Sequence, residues 1–213
     1  MVRASDKLIE KLKGEIFCGL LKPGDQLEEA ELAARFAVSR TPIREAIRSM
    51  VDSGLLETRP RKGAIVRILT TKELSDLFEV AAELEGMACR LASELLTQAD
   101  KKAIEAGVEL CRDAAEIGDL PAYAQANLIF HGHIHRASGN DWLVDQLEKI
   151  QARINVYRLM PYEVVGRLKK SVAEHQEISD AIVAKNSQLA NELMRDHIML
   201  QGLRLPNLLK SFS

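Results

Sequence analysis

The stretch Leu32–Leu56, "LAARFAVSRTPIREAIRSMVDSGLL", contains two helical patterns and the tight turn "AVS" between them. The first pattern begins at Glu28 and runs to Phe36, with Ala30, Leu32, Ala33 and Phe36 on one apolar face. The second runs from about Ser39 to Ser53. Ser39 or Thr41 can cap it, and Pro42 lies in its first turn, where a missing N–H costs nothing. Gly54 ends it. Ile43, Ala46, Ile47 and Met50 form its core face, while Arg40, Arg44 and Arg48 recur every four residues. Each arginine is rotated only about 40° from the last, so all three line one side. A row of guanidiniums beside an apolar seam suits a helix lying in a DNA major groove, because arginine forks fit guanine edges or phosphate oxygens. Arg40 and Arg44, nearest the amino end, are candidates for bases; Arg48 is placed for phosphate or water.

Upstream, Ala4 to Leu20 reads as a helix with Leu8, Ile9, Leu12, Ile16 and Phe17 at helical spacing, stopped by Pro23-Gly24 in "LKPGDQL". Downstream, two short apolar runs, Leu55–Thr58 and Ala64–Ile68, flank "RPRKG" and read as a hairpin with a basic tip. Three helices and a basic hairpin make a winged helix-turn-helix over residues 1–70. This segment holds 13 Lys/Arg against 10 Asp/Glu, whereas residues 71–213 hold 16 against 21. The net charge of −2 therefore conceals a basic amino-terminal module on an acidic body.

From Thr71 onward no strand pattern, internal repeat or low-complexity tract occurs. Six helices are expected: Thr71–Leu96, Gln98–Ile117, Leu120–Ala137, Trp142–Arg158, Val164–Lys185 and Ser187–Leu209. Their breaks are marked by a Thr97 cap, "GDLP", "SGND", Pro161 and "KNS". The fold class is mainly α: the winged helix-turn-helix followed by an antiparallel all-helical bundle over residues 71–213, an architecture that commonly holds ligands and metals between helices. Cys18, Cys89 and Cys111 are odd in number and widely spaced, as expected of buried thiols in a reducing compartment. No uncharged apolar run reaches membrane-spanning length and the amino terminus lacks a signal-peptide core, so a soluble cytoplasmic protein is expected.

The bundle carries all five histidines. In "NLIFHGHIH" (Asn127–His135), Asn127, His131 and His135 share one helix face, while His133 points about 160° away from His131. His175 and His197 lie among apolar residues on the last two helices. A single buried histidine is usually a hydrogen-bonded core residue, but three converging with an oxygen donor suit a divalent cation such as zinc, nickel or manganese.

"I-x-x-G-x-L-x-P-G-x-x-L" from Ile16 to Leu27, followed by the opening stretch, closely resembles the DNA-binding domain of GntR-family transcription regulators. By that resemblance DNA contacts fall on Arg35, Ser39, Arg40, Thr41 and Arg44, and on Lys62 and Gly63 of the wing. The aromatic or histidine usual near the wing tip is replaced by Arg61-Lys62. "NLIFHGHIHRASGN" and "EHQEISDAIVAKNSQLANELMRDHI" resemble the FCD ligand-binding domain of the FadR-type branch, in its six-helix VanR-like group. The resemblance implies a divalent metal held by Asn127, His131, His175 and His197, with Asn127 where the family more often has Asp. Ala81 stands where the family often has an effector-facing Arg, which removes a bidentate partner for a carboxylate. Arg153 and Tyr157 could take its place, and His135 could contact an effector.

Together these features imply a ligand-responsive transcription regulator that is not an enzyme. It would be a homodimeric repressor on an inverted-repeat operator, controlled by a small metabolite of the organic-acid class bound near the metal. A metal sensor without an organic effector is the alternative. A metal-dependent enzyme is a third reading, opposed by the absence of an evident general base: Glu174 and Asp196 are each adjacent to a candidate ligand and hence on another face.

Overall fold

Ala37 turns the chain between the two helices of the opening stretch by entering the left-handed region, at φ 53° and ψ 44°. Its N–H then reaches back to the carbonyls of Ala33 and Ala34, satisfying the end of the preceding helix. The computed structural model describes residues 3–17, 19–60, 62–157 and 166–209, with the backbone alone for Val156 and for 201–209. The expectations for Cys18, Arg61 and Arg158, the break at Pro161 and the helix start at Val164 lie outside the described residues. The chain divides into two units between Leu69 and Thr70.

The first unit contains α1 (Ala4–Phe17), α2 (Glu29–Phe36) and α3 (Arg40–Asp52), with strands β1 (Gln26–Leu27), β2 (Leu56–Arg59) and β3 (Gly63–Val66). Leu8, Leu12 and Ile16 of α1 are buried and pack with Ile43, Ala46 and Met50 of α3. Helix α1 stops at Phe17 rather than Leu20, because Gly19 turns to φ 77° and its N–H bonds back to Ile16. Ser39 is the N-cap of α3 by its extended backbone, without a side-chain hydrogen bond. The expected hairpin is present, and β1 adds a third antiparallel strand in the order β1-β3-β2, with Leu27 opposite Ala64. A two-residue strand is too short to leave a periodic signal, so "DQL" read only as the end of a turn.

The second unit contains α4 (Thr71–Leu95), α5 (Gln98–Ile117), α6 (Leu120–Ala137), α7 (Asp141–Ile154), α8 (Arg167–Val183) and α9 (Ser187–Leu209). Thr70 and Thr97 each form a capping box, with Glu73 and Asp100, while Asp119 and Asn140 cap α6 and α7. After α7 the chain tightens into a 3-10 turn over Asn155–Tyr157, and α8 starts at Arg167 with Gly166 as its N-cap at φ 80°. Helix α4 packs along α9, and α5 along α6. The second packing is close: a Cβ on Gly107 would lie 3.0 Å from the Phe130 Cα. Among the described residues no helix is long and apolar enough to cross a membrane.

Candidate nucleic-acid interface and metal centre

The first unit presents its arginines outward. Arg40, Arg44 and Arg48 are all exposed along α3, with Ile43, Ala46 and Met50 buried behind them. The wing turns tightly at its tip, where the Lys62 N–H bonds the Arg59 carbonyl at 3.1 Å and Gly63 adopts φ 69°. Arg40, Lys62 and Gly63 together line a groove of about 480 Å³ with Gln26, Glu29 and Thr58. Thr41 is exposed in the first turn of α3. Two arginines are held by carboxylates from the preceding helix: Arg44 Nε donates to Glu29 at 2.7 Å, and Arg35 pairs with Glu15. The Arg35 guanidinium also stacks 4.9 Å from the Phe36 ring centre, so part of its role is to cover that ring.

In the second unit, α6, α8 and α9 bring His131, His175 and His197 together, with one nitrogen of each within 4.8 Å of the others. All three are buried. The Nε2 atoms of His175 and His197 are 3.3 Å apart. That is about the separation of two ligands bound at 2.0–2.1 Å around a tetrahedral cation. Asn127 lies one turn before His131, is 1% exposed, and neither its Oδ1 nor its Nδ2 has a hydrogen-bond partner. Leaving a buried amide unsatisfied costs about 1–3 kcal/mol. A cation accepting the Asn127 oxygen would remove part of that cost, so the donor set fits a divalent metal.

Two carboxylates behind the histidines fix their protonation. Glu174 Oε2 accepts from His197 Nδ1 at 2.7 Å and from Arg167 Nη2 at 2.8 Å, while Oε1 accepts from Arg167 Nη1 at 3.0 Å. Burial alone would raise the Glu174 pKa, but the hydrogen bonds from His197 and Arg167 bring it down to about 2. Glu85 Oε2 accepts from His131 Nδ1 at 3.1 Å and His135 Nε2 at 2.9 Å, and Oε1 accepts from Gln151 at 2.6 Å. Burial opposes its charge, yet the two imidazoles hold its carboxyl well below the usual range. An ionised carboxylate only accepts, so the Nδ1 atoms of His131 and His197 carry the protons and their Nε2 atoms keep the lone pairs a metal requires.

Sequence reasoning missed Glu85, Gln151 and Arg167, and it set Glu174 aside. Adjacency to His175 does not keep Glu174 from the cluster, because its side chain reaches across to His197 on α9. It is already engaged by His197 and Arg167, which leaves it poorly placed as a general base. The signal for Glu85 was present: it continues the apolar stripe Leu74, Phe78, Ala81 and Ala82, where a lone carboxylate must have partners. His133 lies apart and bonds Arg136 at 2.8 Å. Of the three effector candidates, His135 is held at the cluster through Glu85. Arg153 is half-buried near the end of α7 and Tyr157 is buried in the turn beyond it, whereas Gln151 reaches Glu85 from that helix. Ala81 is buried one turn before Glu85. Cys89 and Cys111 are buried free thiols; burial pushes the Cys111 pKa up to about 12, and burial together with the Glu85 charge holds the Cys89 thiol well above its ordinary value.

The profile for bacterial regulatory proteins of the gntR family matches residues 4–66, and that for the FCD domain matches residues 76–199. The chain belongs to the GntR family. It is 30% identical to the uncharacterized HTH-type transcriptional regulator YdhC of Bacillus subtilis (strain 168), over 88% of this chain and 84% of that one. It is 31% identical to a probable D-xylose utilization operon transcriptional repressor of Paenarthrobacter nicotinovorans, over 86% and 80%. The solved structure of E. coli McbR/YncC is similar along the full length of both chains, with a TM-score of 0.87 at 26% identity. This GntR-family chain is thus a DNA-binding transcription regulator and not an enzyme, with its arginine-bearing helix in the gntR segment and its histidine cluster in the FCD segment.

Proposed function

We propose that this regulator is a homodimeric repressor on an inverted-repeat operator, whose FCD domain holds a divalent cation and releases DNA when a small organic acid binds beside it. The observation that carries the metal is the convergence of three buried histidines, with Asn127, a buried amide without a hydrogen-bond partner, one helical turn before His131. His131, His175, His197 and Asn127 would hold the cation; zinc, nickel and manganese all suit three imidazoles and an oxygen. When bound, the metal supplies positive charge and open positions for a carboxylate. Around it, Glu85 and Glu174 orient the imidazoles and Arg167 neutralises Glu174. Near-complete burial of the four donors favours a resident cofactor over an exchanging metal signal. Arg40, Arg44, Ser39, Thr41, Arg35, Lys62 and Gly63 would contact the operator. Repression accords with the similarity to the probable D-xylose utilization operon repressor of Paenarthrobacter nicotinovorans.

A coupling of about 1–3 kcal/mol between effector and DNA changes operator affinity about 5- to 150-fold. Operator titrations with the full chain, before and after chelation and with a panel of mono- and dicarboxylic acids, test the proposal. An acid that weakens binding at least 5-fold only in metal-loaded protein is the expected result. Identical affinities under all conditions would reject the control by metal and acid while leaving DNA binding intact.

A further inference from the structure

The ion pair between Glu29 and Arg44 joins the first residue of α2 to the exposed face of α3. Both side chains are substantially exposed, so the pair contributes little to stability. Its geometry does something else. A guanidinium is planar, with donors on three nitrogens, and Arg44 spends only Nε on Glu29. That bond restricts the plane and leaves the Nη1/Nη2 edge for another acceptor. Among the described residues Arg44 makes no other hydrogen bond, and neither Arg40 nor Arg48 has a carboxylate anchor of this kind.

We propose that Glu29 is a positioning residue for base reading, holding Arg44 so that its outer edge engages one guanine. A carboxylate that touches no DNA thereby sets specificity. The proposal rests on the reading of α3 as the DNA-reading helix. An unanchored arginine loses rotamer freedom when it docks; one already held loses less. The Glu29 charge also repels phosphates, which weakens binding to random DNA. Both effects widen the gap between preferred and random sequence. A purely local role also exists for an acid in the first turn of a helix, through the helix dipole. Glu31 provides the control, being acidic, exposed and in the same turn, with no arginine partner among the described residues.

The test begins with selection of a preferred site by the full chain from a random duplex library. Wild type, Glu29→Gln, Glu29→Asp, Arg44→Ala, Glu29→Gln/Arg44→Ala and Glu31→Gln are then titrated on that site, its single-base variants and random DNA. Glu29→Gln is expected to lose about 2- to 10-fold of discrimination, at the same base pair that Arg44→Ala relaxes. The double variant should lose no more there than Arg44→Ala alone. Glu29→Asp keeps the charge but shortens its reach, and should relax the same base. Glu29→Gln should bind random DNA at least as tightly as wild type, and Glu31→Gln should keep the full base preference. Retention of that preference by Glu29→Gln, or equal weakening on preferred and random DNA, overturns the proposal. Failure of the wild type to enrich any site would instead reject the reading of α3 itself.

Discussion

Two helices carry the side chains proposed to act, at the same four-residue interval, and differ in everything around them. On α3, Arg40, Arg44 and Arg48 face solvent. On α6, Tyr123, Asn127, His131 and His135 are all 4% exposed or less. Charge at the first location is solvated, so folding is largely indifferent to it. At the second location every polar atom has to find a partner, because an unsatisfied buried group costs about 1–3 kcal/mol. The carboxylates reflect this. Glu29 is a surface partner of Arg44, whereas Glu85 sits at 1% exposure and gathers three donors. The same spacing thus gives a readable surface in one unit and a site coupled to stability in the other.

The largest effect that would sharpen this contrast is at Glu85. Glu85→Ala removes the acceptor shared by His131, His135 and Gln151, and should destabilise the bundle by about 3–5 kcal/mol. Denaturant unfolding measures it; a loss below 1 kcal/mol would mean that these donors find other partners. Next comes Gly107→Ala. Its Cβ would press on the backbone of Phe130, whose ring lies 4.4 Å from that of His175, so a loss of about 1–3 kcal/mol is expected. An unchanged melting temperature would show that α5 and α6 can separate without strain.

On the exposed side the expected stability change is near zero, and the effect appears in DNA binding instead. Arg40→Ala should weaken the selected site by about 1–3 kcal/mol and relax one base, whereas Arg48→Ala should weaken all sequences alike. Equal losses for both variants on selected and random DNA would remove Arg40 from base reading. Glu174 lies between the two extremes. Its pKa of about 2 is depressed below 4.5, so its contribution is fully present above about pH 4.5 and is lost as the pH falls toward 2.

The exposed half was the more legible in sequence for the same physical reason. The α3 boundaries follow from Ser39, Pro42 and Gly54, and the arginine periodicity survives because nothing else competes for that face. The four proposed metal donors could also be named, through the resemblance to the FCD domain, whereas spacing alone only placed Asn127, His131 and His135 on one face. Their supports could not. Glu85 reads as a stray charge in an apolar stripe, and Glu174 reads as facing elsewhere, because each acts through a partner on another helix. The end of α1 shifted where a glycine in the left-handed region intervened, at Gly19. The strand β1 depends on pairing with β3, which no local pattern announces.

In the proposed function His131, His175 and His197, out of five histidines, form a metal centre on which the bundle depends. The direct measurement is bound metal per protomer together with melting temperature for the five single His→Ala variants, loaded with zinc, nickel or manganese at pH 7.5. Loss of either metal or fold stability at these three positions should occur together, because a cation that binds only the folded chain stabilises it by mass action. His133→Ala should keep both, His135→Ala should keep the metal, and wild-type loading should fall as the pH drops toward about 6, where imidazoles protonate. Full metal occupancy in the His175 or His197 variant, or metal loss in the His133 variant, would show that His131, His175 and His197 do not form this centre.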